Sequence, residues 1–225
     1  MRMHYFFLIL TVLFCFGFVA IAEPRKSSGL QLLLSFSGAF LLALTIFDLF
    51  PEVYSDSEPK SIGIFIILGF LLQIVLELFS KGAEHGHVHL DFESTTFPWM
   101  LFISLCIHSF MEGIPLIDSS PIFYGILIHK VPIAIILSMF LLNSKLKTSY
   151  AVGFILVFSL MTPLGSLLSS QLEFINQYRP QITAIVIGIL LHISTVILFE
   201  SSKEHVFNIR KLGVIFLGFI VAYFI

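Results

Sequence analysis

Charged residues are scarce in this sequence. Asp, Glu, Lys and Arg together form 12% of its 225 residues, about half the share found in a typical soluble domain. The net charge of −2 is too small to favour nucleic acid or another strongly charged partner. The two cysteines, Cys15 and Cys106, lie in apolar runs without Cys-x-x-Cys spacing. We therefore interpret them as buried thiols and not as a disulfide.

Apolar residues are abundant instead. They make up 57% of the chain, include 26 Phe and give a mean hydropathy of +1.01. They extend over the whole length of the chain rather than forming one core, which indicates lipid as the solvent. A helix that crosses a bilayer needs ~20 mostly apolar residues, and eight segments meet or nearly meet that length. They are 5–22, 29–53, 61–80, 98–118, 121–142, 149–171, 181–200 and 211–225.

The sequence therefore predicts an all-α integral membrane protein: one domain, a bundle of eight transmembrane helices with a His-containing cytoplasmic loop at 81–97. Basic residues in the loops orient such a bundle, because cytoplasmic loops carry an excess of Lys and Arg. One side would collect Arg25, Lys26, Lys81, Lys145, Lys147, Lys203, Arg210 and Lys211, and the other Arg2, Lys60 and Arg179. This division predicts that both termini lie outside.

The first apolar segment has a second interpretation. It ends in Ala20-Ile21-Ala22, which resembles a signal-peptide cleavage site. The run is long for a signal peptide and only Arg2 precedes it. We expect it to be retained as the first span, with cleavage left open.

Ionisable residues inside a membrane are costly and usually face the interior of the bundle. Glu77 and Glu200 lie near cytoplasmic helix ends, where we expect them to be solvated. Asp48 lies near the outer end of the second span. It is either a solvated helix end or a gate for cations.

His108, Glu112 and His129 lie deeper. His108 precedes Ser119 by 11 residues, and His129 follows Ser120 by 9. With ~1.5 Å per residue, both imidazoles lie about 14–16 Å from the turn, near the midplane. Glu112 is four residues after His108 and shares its helix face. Two imidazoles and a carboxylate suit a divalent cation such as zinc or iron(II); alternatively, each His is a buried hydrogen-bonding group that joins two helices.

Helix-breaking residues lie near His108, Glu112 and His129 in the sequence. Gly113 and Pro115 follow Glu112, and Pro132 lies three residues after His129. A proline inside a helix removes a backbone hydrogen bond and kinks the span. Irregular backbone at this depth is tolerated where it lines a cavity. Pro163-Leu164-Gly165 in the sixth span is either a third such break or a packing kink.

The loop after the third span contains three histidines at alternate positions, His85, His87 and His89. This spacing favours transient zinc capture on the cytoplasmic side. The alternative is a polar loop in which the histidines are incidental.

At these residues the sequence resembles the ZIP (Zrt/Irt-like protein) family of divalent-metal transporters. His108-Ser109-Phe110-Met111-Glu112-Gly113 resembles its fourth-helix signature His-(Ser/Asn)-x-x-(Glu/Asp)-Gly, and His129-Lys130-Val131-Pro132 resembles its fifth-helix His-(Asn/Lys)-x-Pro. Asp48–Glu52 and Thr162–Gly165 are similar in a weaker way to family segments in the second and sixth helices. The resemblance implies eight spans with both termini outside. It also implies a transport site of His108, Glu112 and His129 with Ser109 beside it.

The sequence departs from the family pattern at the second metal position. Many members have an acidic residue where Ile133 stands, Asn where Lys130 stands and, when metals are paired, an acidic residue where Thr162 stands. We therefore expect one metal, with the Lys130 ammonium in place of the second cation. Asp48 stands where His is common, which implies an acidic outer mouth.

These observations together predict uptake of a divalent metal into the cytoplasm, with zinc first and iron or manganese as alternatives. The metal is a transported substrate and no cofactor is expected. The expected partners are the metal ion and the lipid bilayer of the plasma (inner) membrane, with a homodimer left open. A zinc-dependent intramembrane hydrolase is the main alternative, for which His192 and Ser109 would complete the site. A proton channel or a purely structural membrane protein is a third.

Overall fold

The computed structural model describes residues 2–24, 27–55, 58–80, 82, 96–117, 120–200 and 209–225. Nearly all of these residues are helical, and within them no strand forms. The α-helices are α1 (Arg2–Ala22), α2 (Ser28–Leu44), α3 (Phe50–Tyr54), α4 (Pro59–Ser80), α5 (Trp99–Gly113), α6 (Ser120–Asn143), α7 (Thr148–Gln171), α8 (Glu173–Gln177), α9 (Arg179–Glu200) and α10 (Ile209–Tyr223). A π-helical turn, Thr45–Leu49, joins α2 to α3.

Seven of the helical segments in the described part are long and apolar enough to cross a membrane. They coincide with the first seven predicted segments, with boundaries within a few residues. The helix α10 covers the eighth predicted segment but has 15 residues, fewer than the ~17–25 of a full span. The chain is thus an integral membrane protein with seven clear candidate spans.

The predicted break after Glu112 is present. The helix α5 ends at Gly113 and continues as a 3₁₀ turn, Ile114–Ile117, that contains Pro115. In contrast, α6 and α7 continue as α-helix through their internal prolines, Pro132 and Pro163. The polar groups near His108 therefore lie on one interrupted helix, α5, and on two continuous helices, α6 and α7.

Small residues let the helices approach closely, as membrane helices require. A side chain on Gly69 of α4 would meet the backbone of Ile185 in α9, and one on Gly188 of α9 would meet Ile66 in α4. A side chain on Gly218 of α10 would lie 2.9 Å from the carbonyl oxygen of Phe36 in α2. The pairs α4–α9 and α2–α10 are thus held backbone to backbone.

The helices α5, α6 and α7 pack with α1 around a core of buried aliphatic and aromatic residues that includes Leu105, Leu137 and Phe158. Large apolar side chains on α4, such as Leu71 and Leu78, point outward, which suits contact with lipid. Both cysteines are free thiols; Cys15 is buried as predicted, whereas Cys106 is only partly buried.

Candidate metal centre

His108 and Glu112 lie one turn apart on α5, and both are almost completely buried, at 4% and 1% exposure. His108 Nε2 is 3.5 Å from Glu112 Oε2. This distance is longer than a good hydrogen bond. Two ligands that bind one tetrahedral zinc at ~2.0–2.1 Å each are separated by about 3.3 Å. The 3.5 Å separation is thus close to the distance between two ligands of one tetrahedral zinc.

His129 on α6 lies beside this pair. Its ring centroid is 6.5 Å from that of His108, with the ring planes at 81°, and it is buried. The two imidazoles predicted to lie at one depth thus lie side by side. Among the described residues, no three His, Cys, Asp or Glu side chains form a complete ligand set. Metal binding by His108, Glu112 and His129 therefore stays a prediction.

Lys130 occupies the other side of Glu112. Its ammonium forms an ion pair with Glu112 Oε1 and donates a hydrogen bond of 2.9 Å to Ser109 Oγ. It also lies 4.9 Å from the centre of the Phe158 ring, where the face of the ring attracts a cation. Because burial of a charge is costly unless it is paired and hydrogen-bonded, these contacts account for a lysine at this depth.

Thr162 on α7 completes the polar network. Its hydroxyl lies 2.9 Å from Glu112 Oε1 and 2.8 Å from the carbonyl oxygen of Ser109, and its single proton donates to one of these acceptors at a time. The close approach of α5 and α7 makes these bonds feasible, since side chains on Gly113 and Gly165 would meet backbone of the opposite helix. The threonine thus fixes the carboxylate from a second helix.

The two oxygens of Glu112 consequently have different environments. Oε1 accepts from the Lys130 ammonium and the Thr162 hydroxyl. Oε2 faces His108 and, in the described part of the chain, has no hydrogen-bond partner. Protein donors thus hold one carboxylate oxygen, and the other lies beside the His108 imidazole without a hydrogen bond.

Sequence reasoning missed two parts of this arrangement. It treated Thr162 only as a missing acidic residue, although its hydroxyl contacts Glu112, and it did not identify Phe158. The signal for both was the i, i+4 spacing of Phe158 and Thr162 on α7, which places them on one face. That spacing does not by itself say which helix the face meets.

The acidic residues of the predicted outer mouth, Asp48 and Glu52, both lie in the described part of the chain. Asp48 lies in the π-helical turn, a type of irregularity common at functional sites. Its Oδ2 is buried and makes no hydrogen bond within the described residues. Glu52 Oε1 lies 4.0 Å from Arg179 Nε, so part of its charge is compensated. The loop histidines, His85, His87 and His89, lie outside the described residues.

Comparison with known proteins identifies relatives. The sequence model of the ZIP zinc transporter family matches residues 82–225, which include α5, α6, α7 and α9. A zinc transporter ZIP1 from Danio rerio is 38% identical over 93 residues, 38% of this chain and 30% of that protein. A zinc transporter ZIP1 from Takifugu rubripes is 27% identical over 262 aligned residues, 89% of this chain and 86% of that protein. The chain belongs to the ZIP zinc transporter family.

Proposed function

We propose that this protein carries divalent cations across the membrane into the cytoplasm through a single site formed by His108, Glu112 and His129. Zinc is the foremost cargo, and iron or manganese share the same ligand chemistry. Family membership supports metal transport. The observation that best supports this site is that the two Glu112 oxygens have different partners. One carboxylate oxygen lies beside an imidazole at metal-ligand spacing and has no hydrogen bond within the described residues.

The Lys130 ammonium limits the site to one metal. It holds Glu112 Oε1 and donates to Ser109, so a second cation there would have to displace a buried positive charge. With neutral imidazoles, the charges of Glu112 and Lys130 cancel before the metal enters. A site of low net charge binds a cation weakly enough to release it, as conduction requires.

The route to this site follows from charge and orientation. Asp48 would attract cations at the outer end of the second span, with Glu52 nearby. The loop histidines would receive them on the cytoplasmic side. This route rests on eight spans with both termini outside, with α10 as a short eighth span, and on insertion in the plasma (inner) membrane. A homodimer is compatible with the route, since one chain supplies all the proposed ligands.

Two observations favour a transporter over a zinc-dependent hydrolase. The hydrolase would need Ser109 as a base, yet Lys130 donates to its hydroxyl and Thr162 lies within hydrogen-bond distance of it. It would also need His192 as a third ligand, and His192 Nε2 faces Glu77 at 3.4 Å. In sealed liposomes, zinc flux without consumption of any substrate would separate the two classes.

Radioactive zinc uptake into proteoliposomes tests the proposal. We expect the double variant His108→Ala plus Glu112→Ala to lose uptake. Ser104→Ala is a matched control on the same helix, because Ser104 is equally buried and, among the described residues, its hydroxyl bonds to backbone carbonyls of its own helix. Wild-type uptake no faster than that of the double variant would refute the proposal.

A further inference from the structure

Aromatic rings gather where α5 and α7 begin. The Phe97 ring centroid lies 4.7 Å from that of Trp99 and 6.0 Å from that of Tyr150. Phe102 and Phe154 complete the group, with centroids 5.4 Å and 5.9 Å from that of Phe97. Phe154 is buried, whereas Trp99 is 62% exposed and Tyr150 49% exposed. These five residues form an aromatic cluster that has a buried base and two amphipathic rings at its surface.

The exposed rings of this cluster are suited to the boundary between hydrocarbon and lipid headgroups. Trp and Tyr are enriched at that boundary, because one part of each ring is apolar and another part forms hydrogen bonds. Trp99 and Tyr150 lie in the first turns of α5 and α7. Met100 and Ile103, which follow Trp99 on α5, are exposed apolar side chains. The cluster therefore lies at headgroup level, with lipid-facing apolar surface beside it.

Two lysines lie in the short turn that joins α6 to α7. In this turn the Ser144 hydroxyl donates to the Leu141 carbonyl oxygen at 2.8 Å and accepts from the Leu146 N–H at 3.4 Å. Leu146 packs against the buried core, and the residues on either side of it, Lys145 and Lys147, are exposed. The turn is thus held by its own hydrogen bonds and by an apolar anchor, and it presents both lysines outward.

Lys147 connects this turn to the aromatic cluster. It is the N-cap residue of α7, and its carbonyl oxygen accepts the Tyr150 N–H at 2.9 Å, so the lysine lies one turn before Tyr150. The positive end of the helix dipole adds to the charge of the ammonium. The sequence has no acidic residue from 94 to 111 or from 119 to 172, the stretches that supply the cluster and the turn. Positive charge therefore adjoins exposed aromatic surface at this end of the bundle.

We propose that Lys145, Lys147 and the aromatic cluster bind the headgroup of an anionic phospholipid. The ammonium groups pair with the negative headgroup, while Trp99 and Tyr150 flank the glycerol region. A zwitterionic lipid gains less, because its headgroup carries its own positive charge. A lipid fits better than a soluble anion, since a free phosphate would leave the exposed aromatic rings in water. The predicted orientation puts this end at the cytoplasmic leaflet, which is rich in anionic lipid.

Quenching of Trp99 fluorescence tests the proposal, because Trp99 is the only tryptophan in the chain. The full-length protein is placed in phosphatidylcholine nanodiscs with increasing fractions of a brominated lipid, either phosphatidylserine or phosphatidylcholine. Half-maximal quenching should need an about fivefold lower fraction of the brominated phosphatidylserine, since a single lysine near a membrane surface supplies roughly that preference. The double variant Lys145→Gln plus Lys147→Gln should lose the preference and keep the quenching by brominated phosphatidylcholine.

Lys60→Gln is the matched control. Lys60 is exposed and lies in the first turn of α4, at the end of the bundle opposite to the start of α5, so this variant should keep the preference. Equal quenching by the two lipids in the wild type, or a preference that survives in the double lysine variant, would overturn the proposal. Displacement of phosphatidylserine by excess inorganic phosphate would also overturn it, because the lysines would then bind a soluble anion. None of these readouts depends on metal transport.

Discussion

The Lys130–Glu112 ion pair offers the sharpest perturbation of the transport site. Lys130→Met keeps most of the side-chain length and removes the charge. In the native protein the ammonium holds Glu112 Oε1 while Oε2 faces His108. A metal on Oε2 and the ammonium on Oε1 would lie on opposite sides of one carboxylate. The ammonium therefore repels the cargo, and its removal should strengthen zinc binding.

The distance between the Lys130 ammonium and a metal on Oε2 sets bounds on the size of this effect. At roughly 5 Å, charges of +1 and +2 repel each other by about 1.7 kcal/mol in bulk water and by about 7 kcal/mol at an effective dielectric constant near 20. Even the smaller value exceeds the ~1.4 kcal/mol that corresponds to a tenfold change in affinity. The variant also leaves the carboxylate buried without its cation, which costs about 3–5 kcal/mol. We thus expect the metal-free variant to be less stable than the wild type.

Three readouts check this prediction on purified protein. The Kd for zinc should fall at least tenfold, the melting temperature without zinc should fall, and zinc should raise it by more than in the wild type. Maximal uptake in proteoliposomes should decrease because a tightly bound cation leaves slowly. An unchanged or higher Kd would refute the idea that Lys130 opposes the cargo.

Three further predictions concern the surroundings of the site. Gly165→Ala should lower the stability by about 1–3 kcal/mol, because the added methyl meets the backbone of α5, whereas Gly153→Ala on the same helix meets nothing within 4 Å; equal melting temperatures would contradict the packing. Thr162→Val removes a hydrogen bond to the charged Glu112, worth about 1.5–3 kcal/mol, and should reduce uptake at subsaturating zinc severalfold; unchanged uptake kinetics would show that the hydroxyl has no positioning role. Asp48→Asn should raise the KM for zinc by roughly three- to tenfold at low ionic strength and less at high salt; a KM independent of this change at all salt concentrations would remove Asp48 from the entry route.

Much of the fold follows from the sequence because the bilayer dictates the length of each span. The apolar run between polar breaks marks a helix directly, so α4, predicted at 61–80, is found at Pro59–Ser80. The break after Glu112 was predicted from Gly113 and Pro115 and is found, whereas Pro163 and Gly165 lie within the continuous helix α7. The role of α10 was harder to predict. This helix has only 15 residues, and apolar composition alone does not decide whether so short a helix crosses the membrane.

The partners of polar groups across helices were not predictable to the same degree. His108 and Glu112 share one helix, so their contact follows from the i, i+4 spacing. The contact of Glu77 with His192 joins two helices far apart in sequence. Helices that are apolar on all faces carry no periodicity that says which face meets which neighbour. The π-helical turn at Asp48 likewise has no local sequence signal.

The location of bound zinc tests the central claim most directly. An anomalous difference map or cryo-EM map of the zinc-loaded protein should contain one peak among His108, Glu112 and His129, about 2.0–2.2 Å from its ligand atoms. The Lys130 ammonium should remain on Glu112 Oε1, with Thr162 beside it. Two peaks at this level, or a peak that displaces the Lys130 ammonium from Glu112, would contradict a single-metal transport site.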